Sequence, residues 1–409
     1  MSAQARNKRI VIAGAGHAAG QLVASLQQKK FAGDIVLVGE EIFLPYQRPP
    51  LSKKFLAGEM PADRLFFRPA SFYENAGVDV RLQTRVSSID RSAKRLITEA
   101  GDEIGYDSLV LATGSRVRVV PVPGHNLDGV HYLRSIDDVH NIQARLTHAK
   151  RIIIIGAGYI GLEVAAVMRQ IGLDVTVIEM ADRVMNRVVS PQVSAFYHAE
   201  HVARGVKLEL STSLKAFVGE DKVTAVEVDD GRSFDADLVI VGVGILPNTA
   251  LAEAAGLSVS NGIVVDDRCQ SSDSDIYAIG DCTSHPSLIY GRNLRLESVH
   301  NALEQAKTAA ANLCGEDLVY SQVPWFWSDQ YDLKLQIAGL SEGYDDVVIR
   351  GDQTQRSFSC LYLKNDQLIA IDAINSARDF IQAKPLIANG LKPDRRQLAD
   401  TKIMLKDLA

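Results

Sequence analysis

Cysteine is scarce in this chain. Its 409 residues include four, Cys269, Cys282, Cys314 and Cys360, with none before position 269 and no C-x-x-C pair. That spacing argues against a disulfide framework, a zinc site or a cysteine-ligated iron–sulfur cluster, and it fits a reducing compartment. Long apolar runs are also missing, so no segment reads as a membrane span. Residues 1–14, MSAQARNKRIVIAG, pass from polar residues straight into a strand pattern. Without an apolar signal core this start reads as cytoplasmic. Positive charge is in deficit, with 44 Lys and Arg against 50 Asp and Glu and a net charge of -6. A nucleic-acid binder would favour a basic face. Aromatic residues make up only 6%, and the two tryptophans, Trp325 and Trp327, fall almost side by side. The length suggests two or three domains.

What is present centres on residues 151–179, RIIIIGAGYIGLEVAAVMRQIGLDVTVIE. Four isoleucines predict a strand buried on both faces. Gly156, Gly158 and Gly161 follow in the order G-x-G-x-x-G, then a helix pattern, then a second strand ending at Glu179. Gly156 permits a tight turn, Gly158 lets backbone approach a pyrophosphate, and Gly161 lets helix and strand pack closely. Glu179 stands about 20 residues on, where an acid binds a ribose 2′-hydroxyl. A carboxylate there would repel a 2′-phosphate, which favours NADH over NADPH. Arg183 and Arg187 are candidates for the adenosine part of the cofactor.

Residues 8–40 repeat the pattern. A strand leads into Gly14, Gly16 and, at the third glycine position, Ala19; a helix and a strand ending at Glu40 follow. The two copies also end alike, in a buried strand and small-residue turn at residues 106–114 and again at 237–244. An internal duplication explains this, and two dinucleotides, one FAD and one nicotinamide cofactor, are the economical reading. Residues 77–86 and 95–99 read as strands of an antiparallel excursion. Asp281, after a third buried strand, is either a ribityl ligand or a helix cap. Residues 44–60 are irregular, because Pro45, Pro49 and Pro50 forbid a regular helix at their start. Ser52 is expected to cap a short helix carrying Lys53 and Lys54. Spacing alone favours a surface loop with solvated lysines; a lysine buried near a flavin would instead stabilise negative charge on the reduced ring. Arg134 is a phosphate contact or a surface charge. From about residue 321 onward, alternating strands and one helix predict a separate α+β module, whose tryptophans are core residues or stack on a ring system.

The motifs taken together are Arg48-Pro49-Pro50-Leu51-Ser52-Lys53, Leu111-Ala112-Thr113-Gly114, residues 156–163, Gly280-Asp281-Cys282, Glu297-Ser298-Val299, residues 301–306 and residues 325–331. In this order the chain resembles the pyridine nucleotide–disulfide oxidoreductase superfamily, and within it the FAD-dependent ferredoxin reductases that serve bacterial oxygenases. The last motif is the most specific, since it lies outside the nucleotide folds. The resemblance implies an α/β fold of two Rossmann-like, glutathione-reductase-like domains plus a C-terminal α+β domain. The expected divisions are residues 1–116 and 248–322 for FAD, 117–247 for NAD and 323–409 for the C-terminal domain. By the same match Lys53 lies beside the flavin and Glu163 faces it across the nicotinamide site. Gly14, Gly16, Ala18, Ala19, Glu40 and Arg48 become FAD contacts, as do Val86, Ala112, Thr113, Gly114, Arg134, Asp281, Val299 and Trp327. Gly156, Gly158, Ile160, Gly161, Glu179 and Arg187, with Gly244, Ile245 and Glu297, would hold NADH.

The implied chemistry is hydride transfer from NADH to FAD, then single electrons to a 2Fe-2S ferredoxin that feeds a haem monooxygenase or ring-hydroxylating dioxygenase. An acidic ferredoxin would need a local basic patch, for which Lys307, Lys384, Arg395 and Arg396 are candidates. Three rivals remain: a disulfide reductase, disfavoured by the missing N-terminal cysteine; a rubredoxin reductase; and a flavoprotein resembling apoptosis-inducing factor, with a mainly structural or signalling role.

Overall fold

Short apolar runs recur along the chain, and those at residues 10–13, 152–155 and 238–241 become strands with every side chain buried. The computed structural model describes residues 8–408. These fall into two compact units. The first takes the chain up to Gln47, then Asp63–Arg116 and Leu246–Pro324; the second takes Arg48–Ala62, Val117–Ile245 and the chain from Trp325 onward.

The first unit is built on a parallel sheet in the order Ile276–Ala278, Ser108–Leu111, Arg9–Ala13, Asp34–Val38, Asp79–Arg81. Successive side chains point to opposite faces. Ile10, Ile12, Ile35 and Leu37 therefore share one core with the helices His17–Gln28 and Val299–Leu313. The second helix presents Ala302, Ala306, Ala309 and Ala310, small enough for close approach to Ala18, Ala19 and Leu22. Val11, Ala13, Val36 and Val38 share the other core with Ile89, Leu96 and Ile104 of three antiparallel strands. The expected antiparallel excursion thus needs correction. Asp79–Arg81 pairs parallel with Asp34–Val38 as the sheet's edge, and antiparallel pairing begins at Val86. A three-residue edge strand with no fully buried side chain carries too little apolar pattern to be read in advance.

The second unit repeats the plan. Its parallel sheet runs Lys207–Glu209, Asp174–Ile178, Arg151–Ile155, Leu238–Val241, Val130–Tyr132. A three-stranded antiparallel layer lies between the third strand and the returning strand in sequence, and its Phe217, Val226 and Val228 cover Ile153 and Ile155. The same unit holds an antiparallel sheet in the order Trp325–Gln330, Leu333–Gly339, Gln367–Ile374, Ser357–Lys364, Asp346–Asp352. The helix Ala377–Ala388 packs on this sheet and buries Phe380, Ala383, Leu386 and Ile387.

Candidate active site

In the first unit, the helix His17–Gln28 starts at Gly16, whose backbone is extended and whose first turn receives no side-chain cap. Its N–H groups are left for an anion. Gly14 has φ +114°, and a Cβ there would lie 2.2 Å from the Ala112 carbonyl oxygen, so only glycine fits. A Cβ on Gly16 would meet nothing within 4 Å, which is room for a ligand in front of the helix. Ala18 and Ala19 are buried, and Ala19 fills the third glycine position without disturbing the turn. Thr113 Oγ1 donates to the Asn248 carbonyl at 2.8 Å, and Asn248 Nδ2 donates to the Thr113 carbonyl at 2.9 Å, which fixes the Ala112–Gly114 turn.

Asp281 is no helix cap, since the strand Thr283–Ser287 follows it. Its carboxylate accepts from Ser115 Oγ at 2.8 Å. The neighbouring Gly280 N–H donates to Gln305 Oε1 at 2.7 Å, a buried side chain that also takes Thr283 Oγ1 at 3.0 Å. Glu40 is exposed at the end of its strand, 3.6 Å from Arg85. Val86 and Val299 are half-buried at the starts of their elements, and Glu297 is exposed and pairs with Arg295.

The second unit has the matching cradle. Gly158 precedes the helix Tyr159–Gln170 with extended backbone and no side-chain cap. Gly156 has φ +102°, and a Cβ on it would come 2.6 Å from the Gly242 carbonyl. A Cβ on Gly161 would lie 2.0 Å from the Gly156 carbonyl, while Gly158 again faces open space. Ile160 is exposed beside it. Glu179 accepts from the Ala157 N–H at 2.7 Å and the Ala181 N–H at 2.9 Å, so it ties the glycine turn to its own strand. Arg183 bonds the carbonyls of Val189 and Asn186 and serves its own loop. Arg187 is exposed and reaches to 3.8 Å from where a Gly244 Cβ would stand. Ile245 is half-buried at the start of the strand Ile245–Pro247.

The surface-loop reading of Lys53 fails. Pro49–Ser52 is a short 3-10 turn, and Ser52 ends it instead of capping a helix. Lys53 Nζ lies 2.7 Å from Glu163 Oε2, with its side chain 17% exposed and that of Glu163 4%. Ser52 Oγ donates to the same oxygen at 2.5 Å, and Ser328 Oγ donates to Oε1 at 2.7 Å. A buried carboxylate is thus held by one ammonium and two hydroxyls, the condition for a buried charge to be tolerated. Lys54, by contrast, is exposed. Arg48 donates to the Arg134 carbonyl at 2.5 Å, and Asp138 accepts the Arg134 N–H at 2.9 Å. Trp327 is half-buried in its strand, 5.5 Å from Trp325 between ring centres. Of the docking candidates, Lys307 pairs with Glu304 at 2.6 Å and Arg395 with Asp346. Lys384 sits over the Phe380 and Trp325 rings, and Arg396 follows Arg395 on the short helix Arg395–Ala399.

Sequence reasoning missed Ser52 as a ligand of Glu163, and it missed Ser328, Asn248 and Gln305. Ser52, Gln305 and Ser328 each stand inside a motif singled out above, but nothing in the motif assigns them a partner; Asn248 left no signal.

The donor set fits two dinucleotides: two uncapped helix ends behind glycine turns, each with an acid at the end of the next strand. The thiols do not fit disulfide chemistry. Burial raises the pKa of Cys269, Cys282 and Cys314, and pushes Cys360 up to about 12, so none is a ready nucleophile at neutral pH. Among the described residues no cluster of His, Cys, Asp and Glu could hold a metal, and no helix is long and apolar enough to cross a membrane.

Comparison with known proteins agrees with this chemistry. The family model described as pyridine nucleotide-disulphide oxidoreductase matches residues 8–306, and the one described as reductase C-terminal matches residues 325–409. The 5,5'-dehydrodivanillate O-demethylase ferredoxin reductase subunit of a Sphingobium strain is 42% identical over 401 residues, 97% of each chain. Putidaredoxin reductase of Pseudomonas putida is 41% identical over 98% of this chain and 97% of its own. The crystal structure of a ferredoxin reductase for a CYP system from Rhodopseudomonas palustris superposes with TM-score 0.96 at 43% identity, covering 98% of this chain and 100% of that one. The chain belongs to the pyridine nucleotide-disulphide oxidoreductase family, and within it to the ferredoxin reductases that use FAD and a pyridine nucleotide.

Proposed function

We propose that the protein passes electrons from NADH, through FAD, to a 2Fe-2S ferredoxin that supplies a haem monooxygenase or a ring-hydroxylating dioxygenase. The observation that carries this is the pair of uncapped, glycine-gated helix ends in a chain whose four cysteines are unpaired and whose thiol pKa values burial shifts upward. Residues 1–116 and 248–322 serve FAD, 117–247 serve NADH and 323–409 form the C-terminal domain. A cytoplasmic location suits four unpaired cysteines.

When bound, FAD supplies the conversion of one hydride into two single electrons. The protein's part is to bind, orient and set charge. The helix end behind Gly14 and Gly16 holds one pyrophosphate, and the helix end behind Gly156 and Gly158 holds the other. Asp281, oriented by Ser115, accepts ribityl hydroxyls. Glu179 accepts ribose hydroxyls and disfavours NADPH. Lys53 supplies positive charge for a ring that becomes negative on reduction, and Glu163 sets how much of that charge is neutralised. The basic side chains Lys307, Lys384, Arg395 and Arg396 are the proposed docking points for an acidic ferredoxin.

The test is NADH oxidation by the holoenzyme with a panel of purified 2Fe-2S ferredoxins and one rubredoxin. The flavin should bleach with NADH under anaerobic conditions and reoxidise fastest with a ferredoxin. A flavin that stays yellow in excess NADH refutes the donor, and a rubredoxin that outpaces every ferredoxin refutes the acceptor.

A further inference from the structure

Glu163 is supported by more than its ion pair. Behind Ser328 a line of buried polar groups continues. Gln330 Nε2 donates to Ser328 Oγ at 3.2 Å, His201 Nε2 lies 2.9 Å from Gln330 Oε1, and the Tyr331 hydroxyl lies 3.2 Å from His201 Nδ1. Ser328, Gln330 and His201 are each 0% exposed. An amide oxygen only accepts, so the imidazole proton is on Nε2. Burial lowers the His201 pKa to about 4, so the ring is neutral and Nδ1 accepts from Tyr331. The Arg204 guanidinium stands 4.4 Å from the centre of the Tyr331 ring and pairs with Glu200 at 2.5 Å.

Every bond in this line donates in one direction, toward Glu163. Hydrogen bonds aligned head to tail strengthen one another in a low-dielectric interior. A line built only to satisfy buried groups needs no common direction, and a glutamine and a histidine are costly choices for an interior that apolar side chains could fill.

We propose that His201 and Gln330 are positioning residues for the Lys53–Glu163 pair: they hold the Ser328 hydroxyl as a donor to Glu163 Oε1. The inference rests on the reading of Lys53 and Glu163 as the pair that serves flavin reduction. Without the His201 N–H, the Gln330 amide is free to turn over and present its oxygen to Ser328. The hydroxyl then donates to Gln330 and leaves Glu163. The carboxylate keeps only Ser52 and Lys53, and it draws more heavily on the Lys53 charge.

The test compares His201→Leu, which removes the donor, with His201→Gln, whose amide nitrogen occupies nearly the place of imidazole Nε2. Gln330→Met breaks the line one step nearer and serves if His201→Leu does not fold. The first readout is the infrared carboxylate band of Glu163 in the oxidised holoenzyme, identified by its loss in Glu163→Gln. The second is the stopped-flow rate of flavin bleaching at saturating NADH. His201→Leu and Gln330→Met should shift the band and slow bleaching by about tenfold, the scale of one hydrogen bond to a charged group. His201→Gln should restore both. An unshifted band in both disrupting variants overturns the proposal, and so does a His201→Gln enzyme as slow as His201→Leu, which would indicate packing alone. Glu163→Gln separates the two readings. If it bleaches at the native rate, the role of the pair falls and the positioning role falls with it. If it is slow while His201→Leu is native in band and rate, only the positioning role is lost.

Discussion

Glu179 uses both carboxylate oxygens on backbone N–H groups, one inside the glycine turn and one in its own loop. In the proposed role a ribose hydroxyl would share those oxygens, so the acid proposed to select the cofactor also ties down the glycine turn beside it. Glu179→Gln keeps the size and removes the charge. It should raise the KM for NADH by about tenfold, the scale of a charge-assisted hydrogen bond, and narrow the preference over NADPH. KM values for both nucleotides with ferricyanide as acceptor measure this; an unchanged ratio would remove Glu179 from cofactor selection. A second acid repeats between the halves. Asp107 accepts the Arg9 N–H at 2.6 Å, and Asp237 accepts the Arg151 N–H at 2.9 Å. Each stands just before the strand that returns beside the first one. The Arg151 guanidinium also holds the Asp237 pKa down to about 2. The duplication therefore extends to single hydrogen bonds at the tail of each parallel sheet.

Among the elements, those with strong local pattern were legible in the sequence. The runs Arg9–Ala13, Arg151–Ile155 and Leu238–Val241 are short, apolar and bounded by glycine or charge, and they form strands where expected. The glycines need no partner to be recognised, because their conformations are local. Asp79–Arg81 was illegible because three residues at a sheet edge show no period. The ligands of Glu163 were illegible for another reason: Ser52 and Ser328 lie 111 and 165 residues away, and no local rule reaches so far. The strand Gln367–Ile374 hides a further case. Asp372 sits in its middle, 1% exposed, with the Tyr362 hydroxyl donating to it. Burial raises its pKa to about 7. The folded value is above the unfolded one of about 3.9, so its contribution to stability is fully present below about pH 4 and is lost as pH rises through about 7. Asp372→Asn stays neutral throughout. Relative to the native protein it should gain stability, on the order of a few kcal/mol, between pH 5 and 8. Urea midpoints across that range test the sign; parallel curves for the two proteins would exclude it.

At the scale of the whole molecule, both cradles are largely built by backbone, so binding is linked to folding. FAD that binds only the folded chain at 100 times its Kd should add about 2.7 kcal/mol of stability. The melting temperature of apoprotein should therefore climb with the logarithm of added FAD, and excess NADH should raise that of holoenzyme again. A melting temperature indifferent to FAD would mean that the glycine turns do not bind it in the folded state. The second unit is also assembled from distant parts of the chain. Residues 52, 53, 163 and 328 come from three stretches that leave the ribosome in that order, from the N-terminal end onward. Glu163 has its ammonium and one hydroxyl as soon as its own helix is made. Its last donor arrives only with the strand Trp325–Gln330. A nascent chain can thus seat Glu163 against Lys53 and Ser52 long before its last donor exists, and translation must run into its final fifth before that carboxylate has all of its partners.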